Sequence, residues 1–278
     1  MPSLREFELR PVLVVARKEF WDRLRNRWIL AVAGLFTVFA LVIAYFGTAQ
    51  GGAIGFRGMD VTITSLVSLV IYIVPLIALM LGYDAVVGES ERGSLDLLLS
   101  QPLTRLELLI GKYCGLAGAL TVSTVAGFGV VGILLSYGIG LPALARYGTF
   151  VLSTLLLGFA FLSLAVLLSV IASNRVVASG LAIALWFLFV LVYDLVLLGL
   201  LVATSGQKFS GVFPVLLLLN PADIFRILNV YAMEEVRALY GLATVMPGQL
   251  AQPWILGVAM LAWILVPLAV AYRLFRKP

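Results

Sequence analysis

The chain has 278 residues, of which 62% are hydrophobic and 12% are charged, and its mean hydropathy is +1.11. A soluble globular protein is about half apolar and about a quarter charged. This composition therefore excludes a soluble globular protein and predicts a single membrane domain over residues 1–278. The formal net charge of +5 does not indicate nucleic acid as a partner, because the basic residues follow the predicted membrane topology. The single cysteine, Cys114, excludes an intramolecular disulfide and a cysteine metal cluster.

Residues 11–27 are predicted to form an amphipathic elbow helix that lies on the inner membrane surface. One side of this helix is apolar and the opposite side is basic. The apolar residues are Val12, Val15, Phe20 and Leu24, and the basic residues are Arg17, Lys18, Arg23, Arg25 and Arg27. This pattern predicts anchoring to anionic membrane lipid.

Six segments have the roughly 20 apolar residues that a membrane-spanning helix needs. They cover residues 28–46, 61–81, 108–137, 150–172, 176–202 and 254–272. The two termini and the loops on their side of the membrane hold 14 Lys and Arg residues, whereas the loops on the other side hold five. Because Lys and Arg concentrate on the cytoplasmic side, both termini are predicted to be cytosolic. The fold class is therefore an all-α polytopic membrane protein with six transmembrane helices.

Residues 84–105 form a charged cytosolic segment between the second and third spans, and they contain a short predicted helix. Ser94 is expected to cap this helix, and Asp96 lies in its first turn, where the helix dipole favours a negative charge. The apolar side consists of Leu95, Leu98 and Leu99. A short, half-apolar helix between two spans suits docking into another protein's groove; an ordinary loop helix is the alternative.

The next helix has its own start signal. The short helix must end before Pro102. Thr104-Arg105-Leu106-Glu107 then has the pattern of a capping box, in which the side chains of the first and fourth residues bond each other's backbone N–H groups. Further along this helix, Gly111 and Gly115 are four residues apart, a spacing that allows a second helix to approach closely.

Asp194 is the only acidic residue well inside a predicted span. A carboxylate at the centre of a spanning helix costs roughly 2.5–3.5 kcal/mol, so such residues usually face a partner or a water-filled cavity. Structural pairing or water contact near the outer surface is the favoured interpretation of this intramembrane polar site, and a substrate or ion site is the alternative.

Residues 203–253 form the outer segment between the fifth and sixth spans. Asn220-Pro221-Ala222-Asp223 supplies an N-cap, a first-position proline and an early acidic residue, so a helix is expected from there to about Tyr240. Its polar side is predicted to include Arg226. Residues 212–219 are too short to span and suit an interfacial or re-entrant piece. The segment is expected to cover the outer mouth, and docking of a partner is the alternative.

The sequence predicts no catalytic, cofactor or metal site in this chain. It has no histidine, no H-E-x-x-H, no nucleophile elbow and no G-x-x-x-x-G-K-[ST] phosphate loop. Hydrolysis of ATP by phosphate-loop chemistry therefore requires a partner subunit, which would bind the ATP and Mg²⁺. The methionines and Cys114 are scattered without paired sulfur ligands, so no copper path is predicted.

The charged segment resembles the pattern of ABC-2-type permeases, in which an acidic residue precedes E-R-G-S/T-L-[DE]-x-L-L and x-P-[LVI]-[ST]-R. The matching residues are Glu89, Glu91, Arg92, Gly93, Ser94, Leu95, Asp96, Leu98, Leu99, Pro102, Leu103, Thr104 and Arg105. The basic stretch at residues 16–28 is also similar to that family, so the resemblance covers nearly the whole chain. Within the family, it is most similar to permeases that help mature the copper enzyme nitrous oxide reductase.

The resemblance implies a type V exporter-like fold in the bacterial inner membrane, with a homodimer of permeases bound to two ABC ATPase subunits. It further implies an elbow helix that touches the ATPase, outer gate helices, and a periplasmic accessory protein. The residues implied for coupling and ATPase docking are Glu89, Glu91, Arg92, Ser94, Leu95, Asp96, Leu98, Leu99 and Arg105. Two rival functions remain: export of a lipid, peptide or drug unrelated to copper, and an ion-coupled carrier or membrane scaffold.

Overall fold

The structure is a computed structural model that describes residues 8–25, 28–46, 59–139, 141–203, 213–230 and 252–276. Within these ranges every regular element is a helix. The helices are α1 (Leu9–Arg25), α2 (Trp28–Phe46), α3 (Met59–Gly82), α4 (Val87–Glu91), α5 (Ser94–Ser100), α6 (Arg105–Ile139), α7 (Leu141–Ile171), α8 (Arg175–Phe187), a π-helix (Leu188–Val192), α9 (Tyr193–Ala203), α10 (Phe213–Leu218), α11 (Pro221–Val230) and α12 (Pro253–Arg276).

Five of the described helical stretches are long and apolar enough to cross a membrane, and they match predicted spans two to six. They are Ile63–Glu91, Arg105–Ile133, Ala145–Ile171, Arg175–Ala203 and Pro253–Arg276. The first predicted span forms helix α2, but its apolar stretch in the described residues, Ala31–Ile43, is shorter than a membrane crossing needs. A membrane span at residues 28–46, which would bring the total to six, therefore stays a prediction. The fifth predicted span is interrupted by the π-helix, which the sequence did not indicate.

Helix α7 lies at the centre of the packing. It contacts α3, α6, α11 and α12, and two-thirds of its spanning window (67%) is buried, against 17% for the window that runs from α8 to α9. Leu157, Phe161 and Ala165 of α7 are fully buried. A helix surrounded in this way transmits any displacement of one neighbour to the others, because a close-packed interior resists compression.

Helix α1 packs along α6 through the glycines that the sequence pointed out. A Cβ added at Gly111 would lie 2.7 Å from Cβ of Val15, and one at Gly115 would lie 2.6 Å from the backbone oxygen of Ala16. The predicted close approach at this glycine pair is thus confirmed, and the helix that packs against the two glycines is α1. Only glycine allows the two backbones to come this near.

Residues 11–25 of the predicted elbow lie in helix α1, which has two apolar faces rather than one. Its position on the membrane surface stays a prediction. Val12 is buried and Val15 half-buried against α6, as expected from the predicted apolar side. A second set remains exposed, comprising Leu9, Leu13, Val14 and Trp21. This second set, flanked by Arg10 and Arg17, is the face that α1 offers to lipid or to a partner.

Several helix ends meet at one end of the molecule, which we call the charged end. Arg105, at the start of α6, donates a hydrogen bond to the backbone oxygen of Phe275 at the end of α12 and lies over its ring at 5.5 Å. Arg175, at the start of α8, bonds Glu91 at the end of α4. The opposite end of the five spans is called the far end.

Candidate functional site

Helices α4 and α5 are joined by a tight turn at Gly93, whose φ of 69° is the left-handed conformation that glycine adopts without strain. Gly93, not Ser94, is the N-cap of α5, so the predicted serine cap is wrong. Ser94 is the first helical residue, and its hydroxyl instead donates to the carboxylate and backbone oxygen of Glu89. The expected position of Asp96 in the first turn is confirmed.

The capping box at the start of α6 is confirmed. The backbone N–H of Thr104 donates to Oε2 of Glu107 at 2.7 Å, and the backbone N–H of Glu107 donates to Oγ1 of Thr104 at 3.2 Å. Oε1 of Glu107 also accepts from the backbone N–H of Glu8 at 2.8 Å. Glu107 is 1% exposed, so one buried carboxylate fixes the starts of both α1 and α6.

The leucines of α5 face the opposite way from the docking prediction. Leu95, Leu98 and Leu99 are half-buried and pack against the protein's own core. Leu97 is 69% exposed and stands on the outer surface of the helix. The predicted apolar side exists, but it attaches α5 to its own chain. The side that α5 offers to a partner consists of Asp96, Leu97 and Ser100.

A buried lysine connects three helices at the charged end. Nζ of Lys112 (α6) lies 3.1 Å from Oε2 of Glu19 (α1) and 3.2 Å from Oε1 of Glu89 (α4), and its side chain is 4% exposed. We call these three residues the Lys112 cluster. Two further cations approach it: Arg23 lies 3.5 Å from Glu19, and Lys18 lies 3.9 Å from Glu89.

The ends of α4 are fixed by residues on α7 and α8. Oγ of Ser169 (α7) accepts from the backbone N–H groups of Val86 and Val87 at 2.9 and 3.1 Å, and so satisfies the start of α4. At the other end, Oε1 of Glu91 accepts from the backbone N–H of Arg175 at 2.8 Å. These bonds attach α4 at both ends, and the positioning roles of Glu89, Glu91 and Arg92 stay predictions.

These elements surround a charged cleft of about 470 Å³ at the charged end. Its lining includes six basic and four acidic side chains: Lys18, Arg23, Arg25, Arg92, Lys112 and Arg175, and Glu19, Asp22, Asp84 and Glu89. Arg92 is exposed at its edge. Such a lining suits a charged protein surface. Among the described residues, no group of three or more His, Cys, Asp or Glu side chains is placed to hold a metal ion.

Asp194 lies in a separate group of polar residues towards the far end. Its Oδ2 lies 2.7 Å from Nη2 of Arg226, whose Nη1 lies 2.6 Å from Oδ1 of Asp223. Asp194 thus has the ion-pair partner expected from the favoured interpretation, and the alternative of a substrate or ion site is not tested by this contact. Arg226 lies on a polar side of α11 together with Asp223, three residues earlier. This side is not open to solvent, because α11 is buried on most sides and Arg226 bonds two carboxylates.

The N-terminal signal of α11 is confirmed, since Oδ1 of Asn220 accepts from the backbone N–H of Ala222 at 2.9 Å. The predicted short piece at residues 212–219 contains α10. The predicted continuation of α11 to Tyr240 lies outside the described residues, as does most of the 203–253 segment.

The sequence reading missed Glu19, Lys112 and Arg175 as parts of the candidate site. The signal available for Lys112 was its place between Gly111 and Gly115, where a helix interface was expected. Its two acidic partners are 93 and 23 residues away along the chain. No local pattern identifies them.

Comparison with known proteins decides the family. The family model described as ABC-2 family transporter protein matches residues 13–278. The chain belongs to the ABC-2 family. It is 44% identical over 267 residues to the probable ABC transporter permease protein NosY of Stutzerimonas stutzeri, covering 95% of this chain and 97% of that protein. It is 43% identical over 272 residues to the NosY protein of Pseudomonas aeruginosa PAO1, covering 96% and 98%.

Membership of the ABC-2 family makes this chain a permease component of an ABC transporter and a membrane protein. The family match covers α1, the α4–α5 segment and α6 together. The Lys112 cluster and the exposed face of α5 thus belong to the permease itself.

Proposed function

We propose that this chain is the membrane subunit of an ATP-driven ABC-2 transporter, and that its ATPase docks on the charged end against α5 and the exposed side of α1. The observation that carries this proposal is the position of Leu97, a 69% exposed leucine on a short helix whose other leucines are held by the core. An exposed apolar side chain on a firmly attached helix suits a contact that must transmit force, since a few apolar anchors usually dominate such an interface.

Contacts on either side of α5 provide the route for that force. Ser94 and Glu89 join α5 to α4, the Lys112 cluster joins α4 to α1 and α6, and Ser169 joins α4 to α7. Helix α7 in turn contacts α11 near the far end, where Ser153 bonds Asn229. A displacement of α5 by the ATPase would thus reach the far end through packed helices. The coupling set is Glu89, Glu91, Arg92, Ser94, Leu95, Asp96, Leu97, Leu98, Leu99 and Arg105.

The charged end is the cytosolic side in this proposal, with both termini in the cytosol of a bacterial inner membrane. The distribution of basic residues supports this orientation. The working assembly is a homodimer of this chain with two ATPase subunits, which bind and hydrolyse ATP with Mg²⁺. The permease contributes no cofactor of its own.

The transporter is proposed to serve assembly of the copper centres of nitrous oxide reductase, together with a periplasmic accessory protein. The identities of 44% and 43% to NosY proteins over nearly the whole chain support this assignment. Scattered sulfur ligands and the lack of histidine indicate that this subunit drives the process without holding copper itself.

Replacement of Leu97 with aspartate tests the docking surface. Because Leu97 is mostly exposed, the variant should fold normally, yet about tenfold less ATPase should co-purify with it in mild detergent. The measurement is the ratio of the co-purifying chain with a phosphate loop to the tagged permease. Leu219→Asp, at a 52% exposed leucine after α10, is the matched control and should retain full binding.

Equal ATPase recovery by Leu97→Asp and Leu219→Asp would remove α5 from the interface. The client assignment is tested in the same strains, by measuring the copper content of nitrous oxide reductase. Normal copper loading in cells that lack this chain would contradict the maturation role while leaving the docking proposal intact.

A further inference from the structure

Asp194, Arg226 and Asp223 form a group that we call the Asp194 cluster, in which Asp223 is buried and the other two side chains are partly exposed. Arg226 bonds one carboxylate with each terminal nitrogen, at 2.7 Å to Asp194 and 2.6 Å to Asp223. Asp223 is 1% exposed and also accepts from Nδ2 of Asn220 at 3.0 Å. The cluster joins α9, immediately after the π-helix, to α11.

The charges of this cluster do not balance. Two carboxylates share one guanidinium, which leaves a net charge of −1 if both are ionised. Oδ1 of Asp194 is buried, and no described residue donates a hydrogen bond to it. The Asp194 and Asp223 carboxylates both bond Arg226, so their like charges lie close together and repel each other. A buried, uncompensated charge is costly and is usually removed by protonation.

We propose that the Asp194 cluster is a proton-binding site that holds one proton while α11 is packed against the π-helix and releases it when α11 moves away. With the proton bound, the two carboxyls and Arg226 form a neutral group in which Asp194 gains its missing donor. Release breaks only the O–H bond of the carboxylic acid, and water accepts the proton. The side chain of Asp194 is 25% exposed, so the cluster is not fully enclosed by the described residues.

The surroundings of Asp223 favour the protonated form. The pKa of Asp223 is raised from 3.8 to about 7; burial is the largest cause and the nearby Asp194 also raises the pKa, while Arg226 and the hydrogen bond from Asn220 lower it. Tyr193 and Tyr72 are the other titratable groups near the cluster. Because the packed-state pKa is raised, the stabilisation is fully present below about pH 3.8 and is lost as the pH rises through about 7.

The position of the cluster explains what the proton would control. Two further bonds attach this region to the π-helix and its end: Asn220 donates to the backbone oxygen of Phe189 at 2.9 Å, and the Tyr193 hydroxyl donates to the backbone oxygen of Leu216 at 2.6 Å. π-helices are rare and often lie at functional sites. Protonation would therefore strengthen the attachment of α10 and α11 to the interrupted fifth span. This inference does not depend on where the ATPase docks.

Hydrogen–deuterium exchange of residues 222–230 tests the proposal, using the full chain in lipid nanodiscs between pH 5 and pH 8. After correction for intrinsic exchange rates, opening of α11 should increase about tenfold per pH unit between pH 5 and pH 6.5 and level off above about pH 7.5. Amides at the centre of α7, such as those of residues 157–165, should show no such slope. A flat profile for α11 in the unmodified protein would overturn the proposal.

Two variants identify the group that titrates. Asp223→Asn places a neutral, donating side chain at the same position and should abolish the slope while keeping α11 protected at all pH values. Asp96→Asn, on the exposed side of α5, is the matched control and should keep the slope. A slope that persists in Asp223→Asn would show that another group titrates and would refute the assignment. If this variant fails to fold, Asp194→Asn removes the like charge beside Asp223 and should move the slope to lower pH; an unchanged slope would then refute the cluster.

Discussion

Two clusters in this permease have the same composition, one cation between two carboxylates, but different surroundings. The Lys112 cluster joins three helices and has Arg23 and Lys18 nearby, so its charges are compensated. The Asp194 cluster joins two helices and, in the described residues, has Arg226 as the cation bonded to both carboxylates. The first is a charge-compensated link at the charged end; the second is a link whose strength is proposed to depend on a proton. The number of neighbouring cations, not the three residues themselves, makes this difference.

Removal of the central cation should separate the two clusters most clearly. Lys112→Met leaves Glu19 and Glu89 buried without their shared cation and should lower the free energy of unfolding by about 3–5 kcal/mol at both pH 6 and pH 8. Arg226→Met should cost less at pH 6 than at pH 8, because Asp223 takes up a proton at the lower pH. Thermal unfolding in detergent measures both variants. A loss for Arg226→Met that is equal at the two pH values would break the distinction.

The features predictable from sequence were those whose partners are close along the chain. The capping box at Thr104 and Glu107 joins residues three apart, and the Asn220 cap acts on a backbone group two residues away. Both were predicted correctly because a helix start imposes the same local geometry in any fold. The long-range pairs, such as Lys112 with Glu19 or Arg226 with Asp194, depend on which helices meet, and residue patterns within one helix do not contain that information.

The orientation of α5 and the π-helix in the fifth span depend on tertiary contacts. The leucine pattern of α5 correctly gave an apolar side, but only the packing shows that this side faces the chain's own core, which leaves Leu97 exposed. The π-helix at Leu188–Val192 has a uniformly apolar sequence with no proline or glycine to indicate a change of helix type. The change of helix type lies where residues of α10 and the start of α11 bond this span.

A smaller effect on stability is expected where α1 approaches α6 at the charged end. Gly115→Ala would place a Cβ 2.6 Å from the backbone oxygen of Ala16 and 2.7 Å from Cβ of Glu19. The two helices must move apart, which should cost about 1–3 kcal/mol and weaken the Lys112 cluster with them. Gly129→Ala in the same helix meets nothing within 4 Å and is the matched control.

Thermal unfolding distinguishes these two glycine variants. Gly129→Ala should be neutral or stabilising by up to about 1 kcal/mol, because alanine favours a helix more than glycine does. If Gly115→Ala were as stable as Gly129→Ala, the close contact between α1 and α6 would be wrong, and the attachment of Glu19 to Lys112 would lose its structural basis.

The smallest expected effects compare two serines of α7 that serve the two ends of the molecule. Ser169→Ala leaves the buried backbone N–H groups of Val86 and Val87 without their acceptor and should cost about 1–3 kcal/mol. Ser153→Ala removes a bond to Asn229, but Nδ2 of Asn229 still donates to the backbone oxygen of Phe225 at 2.9 Å, so about 1 kcal/mol or less is expected.

Hydrogen exchange shows where each loss of stability occurs as well as how large it is. Ser169→Ala should speed exchange at residues 86–91 and leave residues 222–230 unchanged, whereas Ser153→Ala should do the reverse with a smaller increase. This outcome would mean that α7 is attached firmly at the charged end and more weakly at the far end. A displacement of α5 would then be transmitted along α7 while α11 remains able to detach. A larger increase at residues 222–230 in Ser169→Ala than at residues 86–91 would instead place the weak attachment at the charged end, and force could not then be transmitted through α4.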